Sequence, residues 1–294
     1  MNMYKLLFLV IVIIVIFGCG NRNNKSDAYG NFEAVEVVVS AQAEGELMQF
    51  RPEEGDKLDQ AETVGLIDST ILSLQKKQLT AQLKAASANI ISQEKRIEAQ
   101  EENIENLLKQ KNRLQTMNRE EAVTDQEVDN ITTQVTVAQK NLEAARQQKQ
   151  GLLYQKKALR AQIDQLKDRI SRCIINNPIK GTVLEKYIEE HELAATGKPL
   201  YKIANLEELI LRAYISGAQL PQAKIGQRVE VVVDKDKEHN QSFFGTITWI
   251  ASEAEFTPKM IQTKEERVSQ VYAIKVRVKN DGTLKIGMPG EVRF

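Results

Sequence analysis

Outside its carboxylates, the side chains of this sequence best suited to bind a metal are two cysteines and two histidines: Cys19, Cys173, His191 and His239. A structural or catalytic metal needs three or four such groups converging, and a nucleophile needs a base within hydrogen-bond reach. His191 lies in turn-like sequence and His239 in the charged stretch Asp234 to Asn240, with no cysteine beside either. No glycine-rich phosphate loop, no metal-ligand spacing and no nucleophile elbow stands anywhere in the chain. The expectation is a protein that is not an enzyme and carries no cofactor or metal. Lysine plus arginine and aspartate plus glutamate number 40 each, so the formal net charge is zero. That balance withdraws the electrostatic argument for a nucleic-acid partner.

Cys19 has a specific setting. Lys5 precedes an uninterrupted apolar run of 12 residues, Leu6 to Phe17. The run suits the hydrophobic region of a signal peptide and is short for a spanning helix, which needs roughly 17–25 residues. It ends in Ile16-Phe17-Gly18-Cys19, which resembles a bacterial lipobox, implying lipidation of Cys19 after removal of residues 1–18. A plain N-terminal anchor with an incidental cysteine is the alternative. Under either reading the bulk of the chain is exported and held at a membrane. Residues 19–34 open with Gly20-Asn21-Arg22-Asn23-Asn24-Lys25-Ser26 and read as a polar tether. Cys173 then has no disulfide partner and reads as a small buried residue.

The elements that must position any site are dominated by two heptad-patterned stretches of about 48 residues each, together residues 69–172. On the first arm Leu72, Leu79, Ala86, Leu107 and Leu114 share one register, and Leu83, Ile90, Ile97 and Ile104 another. On the second, Val128, Val135, Leu142, Ile163 and Ile170 share a register, with Ile131, Ala138, Ala145, Leu152, Leu159 and Leu166 three residues on. Steps of three and four put these side chains on one seam, so the pattern predicts an antiparallel coiled-coil hairpin. At 1.5 Å per residue each arm reaches roughly 70 Å. The turn falls near Asn118 to Val123. Thr124 and Glu127 have the spacing of a capping box, and Val123 with Val128 that of a hydrophobic staple.

The flanks repeat one another. Gly45-Glu46-Leu47 is followed ten positions after its glycine by Gly55-Asp56-Lys57-Leu58, and Gly181-Thr182-Val183 at the same distance by His191-Glu192-Leu193. Residues 35–68 and 173–206 therefore read as two halves of one β module. The module resembles the biotinyl/lipoyl fold, whose carriers present a lysine between the halves. Here Asp68-Ser69 stands at that place and the hairpin is inserted, which argues against a carrier. From residue 207 to 294 alternation predicts a small antiparallel β-barrel, with Trp249 in its core and a short helix over Ala218 to Ala223. The fold class is α+β.

Signal, tether, half module, hairpin, half module and barrel, in that order, resemble the periplasmic adaptor subunits (membrane fusion proteins, HlyD family) of bacterial efflux and secretion systems. In that family the hairpin tip carries an arginine, an apolar residue four later and a serine eleven after the arginine, which dock on an outer-membrane, TolC-like duct. Arg113, Met117 and Thr124 stand at those spacings here. Read from the residues alone, Arg113 is a solvated coiled-coil charge and Thr124 a helix cap. The stretch from Glu255-Phe256-Thr257-Pro258-Lys259 to Val271-Tyr272 resembles the branch that partners ABC-type transporters. The chain stops at Phe294, where adaptors of proton-driven pumps usually continue into a membrane-proximal domain, so the expectation is that this domain is absent or reduced to a few residues near Tyr29 to Val37. The resemblance implies a homo-oligomer, six-fold in the family, on the periplasmic side of the inner membrane, joining a permease/ATPase exporter to the duct. An adaptor of an RND-type pump and a membrane-tethered coiled-coil scaffold without transport are the alternatives.

Overall fold

A computed structural model describes residues 26–236, 239–256 and 270–294. Four short strands of the split module precede the hairpin: β2 (Glu36–Ser40), β3 (Gly45–Phe50), β4 (Lys57–Leu58) and β5 (Thr63–Ile67). Four follow it: β6 (Ile174–Asn176), β7 (Gly181–Lys186), β8 (Leu193–Ala194) and β9 (Pro199–Ala204). They form two four-stranded sheets, β2-β9-β7-β4 and β6-β5-β3-β8. Exchanging each strand for its counterpart in the other half turns the first order into the second, so the module has an internal pseudo-twofold. The hydrogen bonds repeat in the same way. The Gly55 amide donates to the Val183 carbonyl at 2.9 Å and the His191 amide to the Leu47 carbonyl at 2.8 Å. The turn that Gly55 makes at φ 94° is made by His191 at φ 70°. Leu47, Val64, Ile67, Cys173, Leu200 and Ile203 are among the residues that fill the space between the sheets. Neither half has a core without the other.

Between the halves, α1 (Thr70–Arg119) and α2 (Asp125–Ser171) run antiparallel. Ala86, Ile90 and Ile104 of α1 pack with Ile131, Val135, Ala145, Ile163 and Leu166 of α2 as the buried seam. Gln93 occupies the same seam, 4% exposed, and its Nε2 donates to the Ala145 carbonyl at 3.0 Å. Two ion pairs bridge the arms beside it, Lys149–Glu94 at 3.0 Å and Arg146–Glu101 at 2.6 Å. Helices of 50 and 47 residues extend about 70–75 Å.

The barrel closes on six strands. Taken around, they are β1 (Ala28–Glu33), β15 (Pro289–Arg293), β11 (Arg228–Asp234), β12 (Asn240–Ile250), β14 (Gln270–Lys279) and β10 (Glu208–Ser216), with β10 pairing both β14 and β1. The short β13 (Glu255–Phe256) adds to β14. Phe32, Leu209, Leu211, Val231, Ile247 and Val276 lie in the core. Several expectations are corrected here. Residues 28–33, expected within the polar tether, are a barrel strand: Ala28 and Phe32 are buried, and Gly30 between them brings β1 against β10. The barrel is therefore not confined to 207–294, and Tyr29 to Val37 belong to β1 and β2 rather than to a reduced extra domain. Trp249 is 40% exposed. A bulge between Ile247 and Trp249 pairs Trp249 with Lys275, and the extra residue turns the indole outward, its ring 5.4 Å from Lys275 Nζ. Over Ala218 to Ala223 the regular structure is one 3₁₀ turn, Leu220–Gln222.

Residues 1–18, Cys19 and the rest of the tether to residue 25 lie outside the described residues, as do positions 257–269 of the transporter-like stretch. Among the described residues no helix is long and apolar enough to cross a membrane.

Candidate functional site

The hairpin tip is built by two complementary helix ends. Helix α1 stops through backbone geometry: the Ala122 amide donates to the Met117 carbonyl at 2.9 Å and the Glu121 amide to the Asn118 carbonyl at 2.9 Å. This pair of bonds closes a helix with a left-handed residue just past its end. Glu121 occupies that position at φ 57°. Helix α2 starts through side chains. Glu127 accepts from the Thr124 amide at 2.9 Å and from the Thr124 hydroxyl at 3.1 Å, completing the capping box. Asn118 ties the two ends together, its Nδ2 donating to the Val123 carbonyl at 3.1 Å and to Asp125 Oδ1 at 3.0 Å. Asn118 and Glu121 had no place in the sequence-based site. Asn118 was findable as a turn residue, but its bonds across the turn depend on both helices being present.

Arg113 is exposed, and among the described residues it makes no ion pair. Met117, one helical turn on, shares its face of α1 and is half-buried. Thr124 is exposed at the start of the other arm, with its hydroxyl engaged by Glu127. The structure thus places all three at one end of the hairpin, far from both β modules. It offers a cationic and an apolar group on one arm, and a hydroxyl on the other that is already spoken for.

The residues with ligand or nucleophile chemistry stay dispersed. Cys173 is fully buried beneath the hairpin base, its Sγ 3.4 Å from the Arg169 carbonyl, and burial pushes its thiol pKa up. His191 Nδ1 lies 3.1 Å from Glu46 Oε1 on the surface of the β module. His239 Nδ1 lies 2.9 Å from Asp236 Oδ1 at the barrel. Among the described residues no cluster of three histidine, cysteine or carboxylate side chains is disposed to hold a metal.

No family model matches the chain. A UPF0194 membrane protein of Yersinia pseudotuberculosis serotype O:3 (strain YPIII) is 26% identical over 332 aligned positions, covering all of this chain and 99% of that protein. A second, from Yersinia enterocolitica serotype O:8, is 26% identical with the same coverage. Among solved structures, MacA from Actinobacillus actinomycetemcomitans superposes with a TM-score of 0.62 at 18% identity, over 92% of this chain and 79% of that one. A MacA–MexA chimera carrying the Pseudomonas aeruginosa MexA α-hairpin domain superposes with a TM-score of 0.52 at 19% identity, over 92% and 82%. With its split two-sheet module, inserted hairpin and six-stranded barrel in this order, the chain has the fold of the membrane fusion, or periplasmic adaptor, proteins.

Proposed function

We propose that this chain is a periplasmic adaptor. Anchored in the inner membrane through lipidated Cys19, it joins an exporter in that membrane, of the ABC type, to an outer-membrane duct. The observation that carries this reading is the hairpin: two helices reaching about 70 Å from the β modules to a polar tip with no enclosed space of its own. A two-helix arm surrounds nothing, so a conduit needs several copies side by side, six on the family pattern. Arg113 and Met117 on one arm and Thr124 on the other form the surface offered to the duct. The ABC assignment is supported by the stretch around Glu255 to Tyr272, which resembles the ABC-partnered branch.

Export by cells carrying Arg113→Asp tests the docking surface. The expected result is loss of export at normal adaptor abundance; unimpaired export sinks the assignment. For the transporter, capture of the cross-linked adaptor should recover a permease with its ATPase. Recovery of a proton-driven pump instead overturns the ABC reading and leaves the adaptor role standing.

A further inference from the structure

The described chain begins at one rim of the barrel and is pinned there. The Asp27 amide donates to the Val292 carbonyl at 2.8 Å, and the Asp27 carbonyl accepts from Gln219 Nε2 at 2.7 Å. Asp27 Oδ2 accepts from the Phe294 amide at 3.0 Å, while the Ser26 hydroxyl donates to Glu291. The strand order fixes what else lies at this rim. Strand β10 ends here at Ser216, because Tyr29 pairs with Tyr214. Strand β11 begins here, because Glu230 pairs with Arg293 at the end of β15. The connection between them therefore crosses the same rim, and in it stands the turn Lys224-Ile225-Gly226-Gln227, closed by the Gln227 amide on the Lys224 carbonyl at 3.0 Å. Ile225 is 69% exposed at the turn, with Lys224 beside it.

Chain length then sets a distance. Ser26 is seven residues beyond Cys19, and seven residues fully extended span at most about 25 Å. A flexible polar segment of that length averages only about 15 Å end to end. We infer that this rim lies against the bilayer surface and that the Lys224–Gln227 turn is a lipid contact, with Ile225 in the headgroup layer and Lys224 beside lipid phosphates. An apolar side chain held outward on a closed turn enters that layer without exposing new backbone, and the neighbouring ammonium meets the anionic headgroups. The hairpin, leaving the opposite side of the β module, then points away from the membrane. This inference rests on the lipidation of Cys19.

The test uses the full-length chain purified from membranes and reconstituted into phosphatidylethanolamine–phosphatidylglycerol vesicles containing brominated lipid. Separate variants, Ile225→Cys and Leu193→Cys, carry a nitrobenzoxadiazole label; Leu193 is equally outward, at 71% exposure, but on the β module. The label at position 225 is expected to be quenched several-fold more than the label at 193, with no other protein present. Equal quenching in a preparation whose mass spectrum shows lipid on Cys19 overturns the lipid contact alone. A preparation without lipid on Cys19 removes the anchor and this inference together. Shielding of position 225 that requires a co-reconstituted exporter overturns the lipid contact in favour of a protein partner.

Discussion

A single hydroxyl, that of Thr124, is asked to cap α2 and, in the proposed function, to meet a partner. Replacement separates the two demands. Thr124→Ala removes the cap and should cost about 1 kcal/mol, read as a lower melting temperature. Thr124→Asp keeps a good cap but loses the hydroxyl and adds charge, so unchanged stability with lost export would place the defect in docking. Unchanged export in Thr124→Asp would leave Thr124 a cap and nothing more. Glu121 is a second residue-scale case. It holds a left-handed conformation that favours glycine, so Glu121→Gly should stabilise the chain by about 0.5–1 kcal/mol, seen as a higher melting temperature. At the hairpin base, Asp68 Oδ1 accepts from the Thr70 hydroxyl at 2.6 Å and from its amide at 2.8 Å, which holds the carboxyl below its usual pKa. A depressed carboxylate stabilises above its unfolded pKa, and that contribution fades as pH falls through its folded value. The protection of the Thr70 amide, its exchange rate relative to the intrinsic rate at the same pH, should therefore fall in acid, and in Asp68→Asn this acid response should vanish.

At the scale of elements, the hairpin's polarity matters as much as its heptads. The apolar register of α1 skips from Ala86 to Leu107, and the positions it skips are Gln93 and Gln100. On α2 the register skips from Leu142 to Ile163 across Lys149 and Lys156. Gln93 fills its place with a hydrogen bond to a backbone carbonyl of the other arm, a bond that exists in one register only. A buried polar group of this kind specifies alignment at a cost in stability. Gln93→Leu should raise stability by about 1 kcal/mol and loosen the register. Paired cysteines at positions 94 and 149 would then cross-link less selectively against neighbouring pairs; an unchanged cross-linking pattern would show that the apolar seam and the remaining Arg146–Glu101 pair hold the alignment without Gln93. The gaps in the heptads were visible in the sequence. That one was filled by a cross-arm hydrogen bond was not, because the partner is a backbone atom 52 residues away.

For the whole molecule, the barrel depends on a strand drawn from the far end of the chain. Gly30 sits so close to β10 that an added Cβ would fall 1.8 Å from the Arg212 carbonyl oxygen. Gly30→Val should detach β1 and cost several kcal/mol, roughly 3 or more, because the strand cannot stay paired around that clash. The β module and hairpin share no strand with the barrel. Far-ultraviolet helix signal should thus survive where the aromatic signal of Trp249 and the barrel tyrosines is lost. Retention of both signals to the wild-type melting temperature would contradict this division. Detaching β1 would also free the rim from the tether, linking barrel integrity to membrane position.

The sequence by itself determined what is local or periodic. The hairpin follows from steps of three and four, the start of α2 from Thr124 and Glu127, and the split module from its repeated glycine spacing, because each signal lies within a few residues or recurs at fixed intervals. The alternation of the last third likewise announced a barrel. What the tertiary structure decided depended on partners distant in the chain. The polar run Gly20 to Ser26 carried β1 with it into the tether reading until β10 and β15 supplied its ladder, and the bulge opposite Lys275 turned Trp249 out of the core. The rim that gathers Ser26, Ile225 and Phe294 is equally invisible along the chain. Barrel closure alone brings the first and last described residues together, since only a complete ring of strands satisfies every edge.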